Sequence, residues 1–109
     1  MPDTESFASL LTVPGVDQYI LVDRDGNIFS QAMAESQKMA ELVSFCGLNA
    51  QAIGKINFRY LAFSLENQGY FFIFPVGKYY LGVIKQEDIS CAVLVDNILQ
   101  FLKDIVNRQ

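Results

Sequence analysis

Residues 69–85 read GYFFIFPVGKYYLGVIK, two apolar runs joined by a Pro-Val-Gly-Lys segment. Phe71, Phe72, Ile73 and Phe74 are apolar without interruption, and so are Tyr79, Tyr80 and Leu81. A strand with one wet face alternates apolar and polar residues. These runs do not, which is the pattern of strands covered on both faces. Val76-Gly77-Lys78 is short enough for a hairpin turn, so the strands Tyr70–Phe74 and Tyr79–Ile84 are expected to be antiparallel. Pro75 lacks an N–H and is expected to close the first of them.

Working outward, Ile56–Leu65 reads as a third strand, joined to Tyr70 by the turn Glu66-Asn67-Gln68-Gly69. Gln18–Val22 is again apolar on both faces and is expected to be central. Asp23-Arg24-Asp25-Gly26-Asn27 follows it, and an Asp-Gly pair between apolar runs is a hairpin signal because Gly accepts positive φ. Ile28, Phe29 and Ser30 begin the return strand. Three helices frame these strands. Residues 3–13 place Phe7, Leu10 and Leu11 on one α-helical stripe, capped by Asp3 or Thr4 and ended by Pro14-Gly15. Residues 33–53 carry Met39, Leu42, Val43, Cys46, Ala50 and Ile53 on a main stripe, with Phe45, Leu48 and Ala52 off it. Gly47 interrupts this helix and Gly54 is a candidate stop. Residues 87–107 form the last helix, with Glu87 and Asp88 at its start and Lys103 and Arg108 near its end, as the helix dipole favours. The expected fold is therefore α/β of the α+β kind: an αββαβββα chain with a five-stranded, mainly antiparallel sheet. The first and last helices cover one face and the middle helix the other.

The 109 residues suit one domain spanning 1–109, with no tail and no second domain expected. Apolar residues make up 51% of the chain, which is enough for a core without disulfide or metal staples. The net charge of −4, with eight basic residues, argues against nucleic acid and anionic lipid as partners. No apolar run approaches the length of a membrane span, and MPDTESF is the reverse of a signal peptide, so a cytoplasmic location is expected.

The chain contains no His, which removes Ser-His-Asp and Cys-His catalysis and His-dependent metal sites. No catalytic residue, cofactor or metal is expected, and the protein reads as a non-enzyme. Asp23 and Asp25 lack the further oxygens and the distal Glu of a calcium loop and read as a plain turn. Gly77-Lys78 lacks the rest of a phosphate loop. Ser30, Ser36, Ser44, Ser64 and Ser90 have no base within a motif. Arg24 and Arg59 invite comparison with an arginine finger, but a hairpin Arg such as Arg24 is ordinarily just solvated. Cys46 and Cys91 read as buried free thiols, with a disulfide or a reactive thiol as the alternative. Tyr79 and Tyr80 are candidate interface anchors or core residues with a polar tip.

Two segments together resemble the roadblock / dynein light chain family: LLTVPGVDQYILVDRDGNIFS at 10–30 and GYFFIFPVGKYYLGVIK at 69–85. The order and length of the elements match over nearly the whole chain. Longin and profilin-like domains are similar in shape but differ in element order. The resemblance implies a homodimer in which the third strand pairs with its twin and the two middle helices lie side by side over the seam. It implies, further, that the dimer is a platform. Bacterial and archaeal relatives act on small Ras-like GTPases, some as GTPase-activating proteins that reposition the GTPase's own groups. Eukaryotic relatives are motor-complex light chains or scaffold parts. The function so implied is that of a homodimeric regulator or scaffold that binds a small Ras-like GTPase and modulates its GTP hydrolysis or localisation. The alternative is a structural light chain or scaffold subunit without effect on a GTPase. A small-ligand sensor is a third reading and requires a cavity of about 300 Å³ or more with convergent polar groups.

The dimer and partner surface is expected to include Phe45 and Leu48 of the middle helix and Phe58, Tyr60 and Ala62 of the third strand. If that strand lies at the sheet edge, it is long and apolar, and self-pairing about a two-fold axis removes the aggregation hazard. If it is central, both of its faces are simply core.

Overall fold

The computed structural model describes residues 4–33, 36–54, 60–65 and 69–107. A 3-10 helix (Thr4–Thr12) leads into β1 (Val16–Asp23) and β2 (Ile28–Ala32). Helix α1 (Ser36–Gly54) follows, then β3 (Leu61–Leu65), β4 (Gly69–Val76), β5 (Tyr79–Lys85) and α2 (Cys91–Asn107). The five strands form one sheet in the order β2-β1-β5-β4-β3, with every neighbouring pair antiparallel.

The sheet is covered on both faces, as the unbroken apolar runs require. Successive strand residues point to opposite sides. Tyr19, Leu21, Phe72, Phe74, Leu81 and Val83 pack with Phe7 and Leu10 of the 3-10 helix and Leu94 and Ile98 of α2. Ile20, Val22, Phe71, Ile73, Tyr80 and Ile84 pack with Met39, Ala40 and Val43 of α1. Two apolar layers thus sandwich the sheet, one helix on one face and two on the other.

Several local expectations are corrected. The first helix is 3-10 rather than α, held by i→i+3 bonds such as Val13 N–H to Leu10 C=O at 2.9 Å. With three residues per turn, side chains three apart eclipse. Phe7 and Leu10 therefore share the buried stripe, while Leu11 turns out to solvent at 49% exposure. Helix α2 begins at Cys91, not at residue 87. Ser90 is its N-cap: its Oγ accepts the Val93 N–H at 3.2 Å, and its carbonyl accepts the Leu94 N–H. Glu87 and Asp88 lie in the preceding turn, where Lys85 Nζ donates to the carbonyls of Gln86 and Ile89. Pro75 does not close β4 but sits inside it, opposite Tyr80. The described part of β3 starts opposite Ile73, so Pro75 has β5 beside it and no described β3 residue on its other flank. Cys46 and Cys91 are half-buried free thiols rather than fully buried ones. They pack on opposite faces of the sheet, too far apart to bridge. Burial pushes the Cys46 thiol up.

The Asp-Gly hairpin forms as expected, and Asp23 builds it. Its Oδ1 accepts the N–H groups of Asp25 and Asn27, both at 2.9 Å, and its Oδ2 accepts Asn27 Nδ2 at 3.0 Å. Gly26 supplies φ of 87°. Burial raises the Asp23 pKa. The bonds from the Asn27 side chain and from the N–H groups of Asn27, Asp25 and Gly26 outweigh it, leaving the carboxyl below its ordinary value.

Candidate interaction surface

The sheet has two edges, and they are built differently. At β2, Leu21 faces Ser30 and Val22 faces Ile28, so Phe29 is the extra residue of a bulge. Bulges twist an edge away from further pairing. The 3-10 helix also packs against β2, and the Phe29 ring meets Tyr79 edge-on at 5.0 Å. At β3, by contrast, Leu61 to Leu65 pair with Ile73 to Gly69 in unbroken register. The stretch LAFSL contains no charge and no proline. Its outer backbone groups face no strand among the described residues. An uncharged, unbulged edge is a template for another strand.

The residues expected at the interface fall into two pairs. Phe45 and Leu48 lie on α1 and are exposed by 67% and 39%. Tyr60 and Ala62 lie on the other face. Ala62 is opposite Phe72, which packs toward α2, and the Tyr60 ring sits 5.8 Å from Phe74 and 6.1 Å from Phe72. Tyr60 is 40% exposed and only partly roofs those two rings. Leu61, with the opposite parity, packs into the α1 layer. Phe58 lies outside the described residues. Phe45 and Leu48 thus share one helix, Tyr60 and Ala62 share one edge, and the sheet separates the pairs.

Sequence reasoning passed over Tyr70. It is 47% exposed, with Lys85 Nζ 5.8 Å from its ring centroid. The signal was its phase: Tyr70 is two residues from Phe72 and so points to the same face, beyond the part that α2 covers. Two open concavities, of about 540 and 410 Å³, lie at opposite ends of β1 and β5. One is lined by Asp17, Lys85, Glu87 and Asp88 among others, the second by Asp23, Arg24, Asp25 and Lys78. Both are largely charged and unlike the apolar, enclosed pocket that a small organic ligand needs. Among the described residues, no group of three or more Cys, Asp or Glu could hold a metal ion, and no helix is long and apolar enough to cross a membrane.

An antiparallel five-stranded sheet with one helix on one face and two on the other is the roadblock-type, profilin-like architecture, and comparison with solved structures shows the same. A roadblock/LC7 domain from Streptomyces avermitilis superposes with a TM-score of 0.79 at 19% identity, covering 99% of this chain and 98% of that one. The gliding protein MglB from Thermus thermophilus gives a TM-score of 0.75 at 16% identity, over 94% of this chain and 84% of its own. Profilin IB from Acanthamoeba castellanii is similar at a TM-score of 0.61 and 15% identity, covering 98% of this chain and 94% of that one. No protein-family model and no curated sequence matches the chain.

Proposed function

We propose that this chain is a homodimeric regulator or scaffold that binds a small Ras-like GTPase in the cytoplasm and modulates its GTP hydrolysis or its localisation. In this reading, residues 1–109 act as one roadblock-like unit. The observation that carries the proposal is the contrast between the edges: β2 is bulged and packed by a helix, whereas β3 is regular, uncharged and faces no further strand among the described residues. Antiparallel pairing of β3 with its twin about a two-fold axis normal to the sheet would join two sheets into one. That symmetry keeps both α1 helices on one face, with Phe45 and Leu48 directed to the neighbouring copy or to a partner docked over the seam. Tyr60 and Ala62 flank the same seam on the other face. MglB, one of the proteins of this architecture, also occurs in a tetrameric arrangement, which supports assembly as a use of the fold. The GTPase comes from the family resemblance. With no His and no phosphate loop in the sequence, hydrolysis would proceed on the GTPase's own groups.

Two measurements test this. Light scattering at micromolar concentration should give twice the 12.3-kDa chain mass, burying about 1,200 Å² or more in total. Phosphate release from a Ras-like GTPase of the same organism should change when the dimer is added, or the GTPase should be retained on it. A monomer, or a GTPase neither bound nor altered, would refute the proposal. Capture of a large motor or scaffold subunit with no GTPase would favour the light-chain alternative.

A further inference from the structure

Helix α1 rests on β5 through two reciprocal contacts. A Cβ on Gly47 would lie 2.7 Å from each of Cδ1, Cε1 and Cζ of Tyr80. Tyr80 is 1% exposed on a strand flanked by β1 and β4, so its ring has no space to retreat into. Gly47 is not among the glycines with positive φ. A glycine inside a helix is unfavourable relative to alanine, so backbone freedom does not explain it. Room for the Tyr80 ring does. From the strand side, a Cβ on Gly82 would meet Val43 Cγ2 at 2.8 Å, Phe71 Cζ at 2.9 Å and Ile20 Cγ2 at 3.1 Å.

The spacings match. Val43 and Gly47 are about 6 Å apart along the helix axis. Tyr80 and Gly82 are about 6.6 Å apart along the strand. Each element therefore supplies one projecting side chain and one gap: Val43 over Gly82, and Tyr80 under Gly47. This fixes the height of α1 above the sheet and its position along β5. At about 100° per residue, Phe45 then points roughly 180° from the Val43–Gly47 face and Leu48 roughly 120°. Their exposures of 67% and 39% follow that order.

We infer that Gly47, through its fit to Tyr80, is a positioning residue for the contact with a second copy of this chain, setting where α1 presents Phe45 and Leu48. The inference rests on the homodimer reading above. Sedimentation velocity on full-length variants tests it, with circular dichroism confirming that each is folded. Gly47→Ala lifts α1 off Tyr80 and raises the dimer Kd at least about tenfold. Adding Tyr80→Leu to Gly47→Ala removes the clash and recovers most of that loss. Asp96→Ala, an exposed change on α2 across the sheet from α1, leaves Kd unaltered. Kd is read well below the melting transition of every variant, so a loss of fold stability alone does not move it. If Gly47→Ala does not fold, Tyr80→Leu alone serves, because it weakens the dimer while leaving β3, Phe45 and Leu48 intact. A folded Gly47→Ala or Tyr80→Leu protein with the wild-type Kd overturns the positioning role and leaves the dimer standing. A wild-type protein that stays monomeric at all concentrations overturns both.

Discussion

Replacing Phe45 by alanine separates folding from assembly. Phe45 is 67% exposed in the isolated chain, so the fold has little to lose. An exposed substitution of this kind shifts stability by about 0.5 kcal/mol or less, and alanine is the better helix former. Assembly has much more to lose. A Phe side chain carries roughly 200 Å² of surface, so about 130 Å² is available for burial against a partner. At about 25 cal/mol per Å², complete coverage is worth ~3 kcal/mol per copy. Two-fold symmetry counts every substitution twice. Alanine keeps about a third of the apolar surface, which puts the ceiling of the loss near 4 kcal/mol per dimer. Half coverage gives ~2 kcal/mol, or roughly 30-fold in Kd; the ceiling gives roughly 1,000-fold. Sedimentation velocity over a dilution series reads that Kd directly. Thermal melts over a concentration series give an independent readout: Tm should rise with concentration for the wild type, and the same rise should need a roughly 30- to 1,000-fold higher concentration for Phe45→Ala. A Kd within a factor of two of wild type would show that Phe45 does not touch the partner copy, and the reasoning from its exposure would fail.

Other expectations follow from the fold. Leu10→Ala should cost about 2–5 kcal/mol in chemical denaturation, whereas Leu11→Ala should cost under about 0.5, because only Leu10 shares the buried 3-10 stripe with Phe7; equal costs would argue for an α-helix there. Asp23 is held below the ordinary carboxylate range, so its contribution is complete above about pH 4, the unfolded value, and fades as pH falls through the lower folded value. Thermal melts between pH 7 and pH 2.5 should show this acid-side loss in the wild type and a shallower one in Asp23→Ala. Ser90→Ala removes the cap of α2 and should cost about 1 kcal/mol, detectable as a Tm shift of several degrees.

Unbroken apolar runs flanked by turn glycines carried the β1, β4 and β5 assignments, because residues such as Phe71–Phe74 have no solvent-facing parity at all. The layer arrangement followed from them. The 3-10 geometry of the first helix was not legible, since Phe7, Leu10 and Leu11 satisfy an α-helical stripe as well as a 3-10 one, and only the direction of Leu11 separates the two. The start of α2 was misplaced because Glu87 and Asp88 imitate a first helical turn, whereas Ser90 holds the actual cap. Of the candidate surface, Phe45 and Leu48 were legible as residues off the main stripe of α1, and their exposure agrees. The parity of β3 was written in its alternation, but which parity faced α1 depends on the register with β4, a long-range fact. Gly47 looked like an interruption of a helix. Its reason lies 33 residues away in the Tyr80 ring, and no local pattern announces that contact.

Hydrogen exchange of the β3 amides as a function of protein concentration tests the central claim most directly. Pairing of β3 with its twin would protect the outward N–H groups of Leu61–Leu65 as concentration rises through the dimer Kd, while the bulged edge at β2 would exchange at an unchanged rate. Exchange in β3 that is fast and independent of concentration would contradict an edge-paired dimer.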